Sequence, residues 1–186
     1  MIKPKLLLHA CCGVCSAYVP ELLVPDYEVT IYYENSNIYP QAEYFRRLEA
    51  ARTMAHSFDL PFIEASYDPP SWFKAVRGLW KEEENGHRCK TCIFFRLDKT
   101  FSFAVVNGFD AVATTLSVSR RKNVLMINEI GEHLSQKYDL EFVGKDWKKN
   151  NGEAISQKRA VEAKIYRQNY CGCVYSAIKK SLMRSD

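Results

Sequence analysis

Apolar positions along this chain follow two alternating rhythms, short continuous runs and longer stripes with a helical period. Lys5–Ala10 is a short apolar run and Tyr27–Tyr33 is β-branched and aromatic, so both predict strands. Tyr44, Leu48, Ala51, Ala55 and Phe58 then recur at spacings of four, three, four and three, the stripe of a helix with one buried face. Pro61–Ala65 predicts a third strand. A helix entered at Pro70 is expected to run towards Glu84, with Asn85-Gly86 as its stop. Thr91 to Asn107 places Phe94, Leu97, Phe101 and Ala104 on one face and ends at Gly108. Asp110–Thr115 and Leu140–Val143 complete the strands, separated by a helix from about Asn123 to Lys137. The C-terminal region reads as a helix, a loop over Asn169–Cys173, and a last helix from Val174.

Strands separated by helices predict an α/β fold: a parallel sheet of about five strands, joined by right-handed crossovers and flanked by helices. No repeat, linker or Gly/Ser-rich stretch divides residues 1–186, which are expected to form a single α/β domain. Residues 144–186 form its helical C-terminal segment, packed on the rest. Open parallel sheets bind ligands beyond the carboxyl ends of their strands. That rule singles out the loops after Ala10, Asn35 and Thr115.

The loop after Ala10 is full of cysteine. The chain has seven, an odd number that excludes complete internal pairing. The N-terminal leucines superficially resemble a secretory signal, but His9 interrupts them and Glu21 arrives too early for a membrane span. The expectation is therefore a cytoplasmic protein without a membrane partner. There, clustered cysteines indicate metal binding or redox chemistry rather than structural bridges.

They form three groups: Cys11-Cys12-x-x-Cys15, Cys89-x-x-Cys92 and Cys171-Gly172-Cys173. Two C-x-x-C turns brought together by the fold offer four thiolates, which suits tetrahedral zinc or an iron–sulfur cluster. Zinc is disfavoured by the 73 residues between Cys15 and Cys89, since compact zinc ribbons separate their halves by about 15–20. Spacing alone leaves both metals open, together with inert buried thiols. Cys171-Gly172-Cys173 differs: a disulfide across one residue closes a small, readily reduced ring, and glycine frees the backbone to close it. This pattern reads as a reversible dithiol. A metal site beside a two-electron thiol store suggests a reductase.

The net charge of +4 is unevenly placed. Residues 1–144 hold 16 Lys/Arg against 18 Asp/Glu, and residues 145–186 hold 10 against 4. Trp147, Tyr166, Tyr170 and Tyr175 are interleaved with those basic residues, and Arg120-Arg121-Lys122 follow the fourth strand. Basic side chains steer phosphates and aromatics stack on unpaired bases, so RNA is a candidate partner and Arg120 and Arg121 are candidate substrate contacts. A solvated basic face is the competing reading. His9 reads as a core residue, His56 and His133 as helix-surface residues, and His87 as a candidate proton donor.

LLLHACCGVCSAYVPEL, RCKTCIFFRL, ATTLSVSRRKN and NYCGCVYS together resemble the QueH-type epoxyqueuosine reductases, in order and over nearly the whole chain. The resemblance implies the last step of queuosine synthesis, reduction of the epoxide of epoxyqueuosine at the wobble position of tRNA. It implies a 4Fe-4S cluster and no cobalamin. Cys11, Cys12, Cys89 and Cys92 match the cluster cysteines, and Cys171 and Cys173 match a catalytic redox pair. Cys15 is left beside the cluster, as a neighbouring thiol or a ligand to an additional iron. An unidentified electron donor is the second implied partner. The sheet resembles that of the PP-loop (HUP-like) nucleotide-binding superfamily. In place of that superfamily's Ser-Gly-Gly-x-Asp-Ser loop stands Cys-Cys-Gly-Val-Cys-Ser, which argues against use of ATP. A zinc-stabilised RNA-binding module and an ATP-dependent tRNA sulfur-transfer enzyme are the alternatives.

Overall fold

The computed structural model describes residues 2–182. Five strands, β1 (Lys5–His9), β2 (Glu28–Tyr33), β3 (Phe62–Glu64), β4 (Ala111–Thr114) and β5 (Glu141–Phe142), form one parallel sheet in the order β3-β2-β1-β4-β5. The central strand explains the architecture. Leu6, Leu7 and Leu8 are fully buried, because helices cover both faces of the sheet. Alternation sends Leu6 and Leu8 into one core and Leu7 into the other. Each such leucine contributes about 1.5–3 kcal/mol relative to exposure.

On the first face lie α1 (Gly13–Ser16), α2 (Val19–Leu23) and α3 (Gln41–Ser57), with Tyr44, Leu48, Ala51 and Ala55 of the expected stripe buried. Gly13 allows the close approach of α1 to α3: a Cβ there would lie 2.6 Å from the Ala50 carbonyl. The second face is covered by α5 (His87–Val106) and α6 (Val124–Tyr138), whose Leu97, Phe101, Ile127 and Leu134 pack under Leu7. Asn123 caps α6, accepting from the Met126 N–H at 3.2 Å.

After α6 the chain passes through β5 to α7 (Gly152–Glu162) and α8 (Val174–Leu182). Trp147 and Ala160 of this segment are buried in the same core as Leu6 and Leu8, and the Trp147 indole donates to the Thr114 carbonyl at 2.9 Å.

Two helices depart from the pattern expected of the sequence. The helix at Pro70, α4 (Pro69–Ala75), ends far short of Glu84. Gly78 turns the chain at φ +83°, and the carbonyls of Leu79, Trp80 and Glu82 accept from the Arg88 guanidinium instead of from a helix. In addition, α5 begins at His87 rather than Thr91, so Cys89 and Cys92 sit on its first two turns and not in a loop.

Strand order runs outward from β1 through β2 to β3, then reverses through β4 to β5. The crevice between β1 and β4 is therefore the switch point where such sheets take ligands. Cys11 lies on one side of it and Thr115 on the other.

Candidate metal and redox site

Cys11 and Cys12 follow directly on β1. The Cys11 N–H donates to Thr115 Oγ1 at 3.0 Å, and that hydroxyl lies 3.4 Å from Cys11 Sγ. Cys12 is the extended residue that opens α1, where its Sγ accepts from the Cys15 N–H at 3.4 Å. The two adjacent sulfurs are 3.7 Å apart, and the sulfurs of Cys11, Cys12 and Cys15 all lie within 4.8 Å of one another. Gln168 reaches in from the C-terminal segment with Nε2 2.7 Å from Cys12 Sγ.

These contacts divide the three thiols. Hydrogen bonds from Cys11 and Cys15 hold Cys12 well below the usual thiol range, against its burial, and the Arg47 charge assists. The Cys11 thiol, as donor to Cys12, is pushed up to about 11. Cys15 is pushed higher for the same reason, with burial adding to it. Cys12 is thus the sulfur that ionises most readily, while Cys11 and Cys15 hold their protons more tightly. A cation entering the group displaces those protons, the ordinary coupling of metal binding to thiol ionisation.

Cys89 and Cys92, three residues apart, share a face of α5. Burial raises the Cys92 thiol, with the Arg96 charge opposing. Opposite them, Lys122 Nζ lies 2.9 Å from Cys171 Sγ. Burial alone would push this ammonium down. The Cys171 sulfur, then Cys89 and Cys92, reverse that and hold it up. Cys171 is held well below the usual thiol range by the Cys173 thiol and, against burial, by Lys122. Cys173 is pushed up correspondingly. All seven cysteines are free thiols in this structure. Gly172 between the pair adopts φ +124°, a conformation unfavourable to any residue with a side chain.

Two cavities meet here. The first, of about 320 Å³, is lined by Cys11, Cys12, Cys15 and Cys171, with Arg120 and Arg121 at its rim. The second, of about 400 Å³, is lined by Cys89, Cys171, Cys173, Trp80 and Tyr175. Cys171 and Glu84 line both.

Buried arginines fix the surrounding loops. Arg47 pairs with Glu43 at 2.7 Å and donates to the carbonyls of Cys171 at 2.9 Å and Tyr170 at 3.1 Å. The Tyr39 N–H donates to the Gly172 carbonyl at 2.8 Å, so the Cys-Gly-Cys loop is fastened to the start of α3. Arg96 on α5 donates to the Glu34 carbonyl and to Asn35 Oδ1, and Asn35 Nδ2 donates to the Ala10 carbonyl at 2.8 Å. The helix bearing Cys89 and Cys92 is thereby tied to the strand ends bearing Cys11. Fully buried His9 has both ring nitrogens engaged, at 2.8 Å from Thr114 Oγ1 and 3.1 Å from the Glu34 carbonyl. Burial, then the Arg96 charge, push it down to about 3.

The family model for epoxyqueuosine reductase QueH matches residues 6–179. The chain belongs to the QueH family. Among its relatives is the epoxyqueuosine reductase QueH of Streptococcus pyogenes, 41% identical over 95% of this chain and 71% of that protein. The QueH of Thermotoga maritima is 34% identical over 94% of this chain and 91% of its own length. The family's activity makes this chain an oxidoreductase. The U34-tRNA thiolase NcsA from Methanococcus maripaludis, solved with its [4Fe-4S] cluster, shares the fold at a TM-score of 0.55 and 12% identity, over 100% of this chain and 68% of that one. So does a predicted subunit of tRNA methyltransferase from Methanocaldococcus jannaschii, at 0.54 and 10%, over 82% and 76%.

In this QueH chain, then, Cys11, Cys12 and Cys15 are brought together, while Cys89 and Cys92 face Lys122 and Cys171 from α5. Arg120 and Arg121 are exposed, and Arg120 lies 3.8 Å from Glu153. His87 is exposed at the start of α5, and His56 and His133 are exposed on helices, as expected. Sequence reasoning did not single out Gln168, Arg47, Arg96 or Glu84. Polar residues in surface-like stretches carry no periodic signal; only the fold turns Arg47 and Arg96 inward and brings Gln168 and the exposed Glu84 to the cavities. Lys122 stood in a basic triplet whose other two members remain in solvent.

Proposed function

We propose that this chain reduces epoxyqueuosine to queuosine at the wobble position of tRNA, in the cytoplasm. A 4Fe-4S cluster is held by Cys11, Cys12, Cys89 and Cys92, with Cys15 beside it as a thiol or a ligand to an additional iron. Cys171 and Cys173 are the redox-active pair, and no cobalamin takes part. The reaction adds two electrons and two protons to the epoxide, leaving an alkene and water. The observation that carries the reading is the convergence of cysteine sulfurs on the β1/β4 crevice of a QueH-family chain.

The donor set fits such a group. It is all sulfur, half-buried at Cys11, Cys89 and Cys92 and buried at Cys12, whose thiol is held well below the usual range by hydrogen bonds from Cys11 and Cys15, with the Arg47 charge assisting. A bound cluster supplies electrons and, at an exposed iron, a Lewis acid for the epoxide oxygen.

The chain's own side chains perform the remaining tasks. Arg120 and Arg121 at the cavity rim meet tRNA phosphates. The Cys173 thiol and Lys122 favour the ionised form of Cys171 beside the cavity. The expelled oxygen needs a proton. His9 is sealed in the core with both nitrogens bonded, whereas Glu84, an exposed residue lining both cavities, is the candidate donor. Gly13 serves the packing of α1 on α3 rather than a phosphate loop, in keeping with chemistry that does not use ATP.

Anaerobic purification followed by a visible spectrum and assays of iron, sulfide and zinc tests the cofactor. A brown protein with iron and sulfide in equal amounts is expected. A colourless zinc protein contradicts the proposal.

A further inference from the structure

The two cavities do not reach the same sulfurs. Among the described residues, the first is lined by Cys171 and not by Cys173, whereas the second is lined by both. The sulfurs also differ in surroundings. Cys171 has the Lys122 ammonium at 2.9 Å. Cys173 is packed against Trp72 and Val76, and among the described residues its side-chain hydrogen-bonding partner besides Cys171 is the Ser176 hydroxyl at 3.5 Å. A departing thiolate is stabilised at Cys171 and poorly accommodated at Cys173. In thiol–disulfide exchange the sulfur that leaves best directs attack to its partner.

We propose that the second cavity is the docking site of a dithiol reductant, which regenerates the oxidised pair by attacking Cys173 and expelling Cys171 towards Lys122. The inference rests on the redox role proposed above for this pair. A reductant thiolate bonds to Cys173 Sγ, the Cys171–Cys173 bond breaks, and its electron pair leaves on Cys171. The reductant's second sulfur then displaces Cys173, closing a disulfide within the reductant. Of the two protons the dithiol gives up, one goes to Cys173 and the other to solvent. A dithiol fits because one molecule completes both displacements. The wall balances Lys81, Arg88 and Lys179 against Glu82, Glu83 and Glu84, with Lys179 3.4 Å from Glu83, so the positive charge that bears on the exchange is that of Lys122 at Cys171. The first cavity, reaching only Cys171, is left free for the substrate side of the reaction. Reductant and substrate therefore approach the pair from different sides, and Cys171 is the sulfur common to both.

Glutathione is the probe, because a monothiol stops at the mixed disulfide. The full-length chain is oxidised with diamide, exposed briefly to glutathione, quenched with N-ethylmaleimide, and its Cys171–Cys173 peptide sequenced by tandem mass spectrometry. Glutathione on Cys173 with maleimide on Cys171 is expected, in about tenfold excess over the reverse. Lys122→Met should slow the exchange roughly tenfold and erase the preference, while Lys122→Arg retains both. Ile178→Trp, at an exposed wall position of the second cavity, should slow it by roughly the same factor. Glutathione mainly on Cys171, equal labelling, or an Ile178→Trp rate equal to wild type overturns the inference. Failure of diamide to join Cys171 to Cys173 overturns the redox role of the pair as well, and so separates the two.

Discussion

Gln168 Nε2 lies 2.7 Å from Cys12 Sγ, joining residues 156 positions apart in the chain. With its N–H on the sulfur, the amide holds the cysteine of the first loop that ionises most readily. Groups that hydrogen-bond a metal ligand orient it, and their loss typically weakens metal binding about 10–100-fold. Gln168→Leu is therefore expected to fold normally and to lose iron to a chelator faster by a factor in that range. Release at the wild-type rate shows that the contact has no part in holding the cluster.

The buried His9 makes acid stability a second readout. Its folded value of about 3 lies below the roughly 6.5 of an unfolded histidine. Between those values the unfolded chain binds a proton that the folded chain does not. Stability is thus complete above pH about 6.5 and falls as pH falls, by about 1.4 kcal/mol per pH unit from this residue. Arg96 and Cys11 face the same ring, so urea unfolding of the metal-free chain is the clean comparison. His9→Gln lowers stability at pH 7 but flattens its decline between pH 6 and 4. An unchanged slope contradicts a neutral, buried His9.

The exposed basic pair predicts a salt effect. Arg120 and Arg121 stand at the cavity rim in solvent, and the 3.8 Å separation of Arg120 from Glu153 is too exposed to neutralise it. Each alanine substitution should weaken tRNA binding and lower the slope of log affinity against log salt by about 0.7–0.9. Salt titrations that superimpose on the wild type remove this loop from the tRNA interface.

Much of this arrangement was legible in the sequence because apolar pattern and cysteine spacing are local signals. Leu6–Leu8 marked the central strand, Asn123 the start of α6, and Gly172 a bend that only glycine makes easily. The long helix expected from Pro70 stops at Ala75, Gly78 turns the chain at φ +83°, and Arg88 takes up the Leu79 and Trp80 carbonyls beyond it, a side-chain contact that apolar periodicity does not register. Cys89 and Cys92 belong to a helix that starts at His87. The three cysteine groups were evident, but their relation was not. The contact of Lys122 with Cys171 spans 49 positions, and the loops of Arg47 and Arg96 span 124 and 61. Such pairings follow from the β1/β4 reversal, which sequence pattern anticipates only as a class of fold.

Weighing the nucleosides of tRNA that carries epoxyqueuosine, before and after anaerobic incubation with reconstituted protein and a dithiol, reads the epoxide reduction itself. The wild-type chain is predicted to remove the mass of one oxygen from many tRNA molecules per protein. Cys171→Ser and Cys173→Ser are predicted to keep their iron and to stop after at most one turnover. An epoxide left intact by wild-type protein that holds its iron and sulfide contradicts epoxide reduction by this chain.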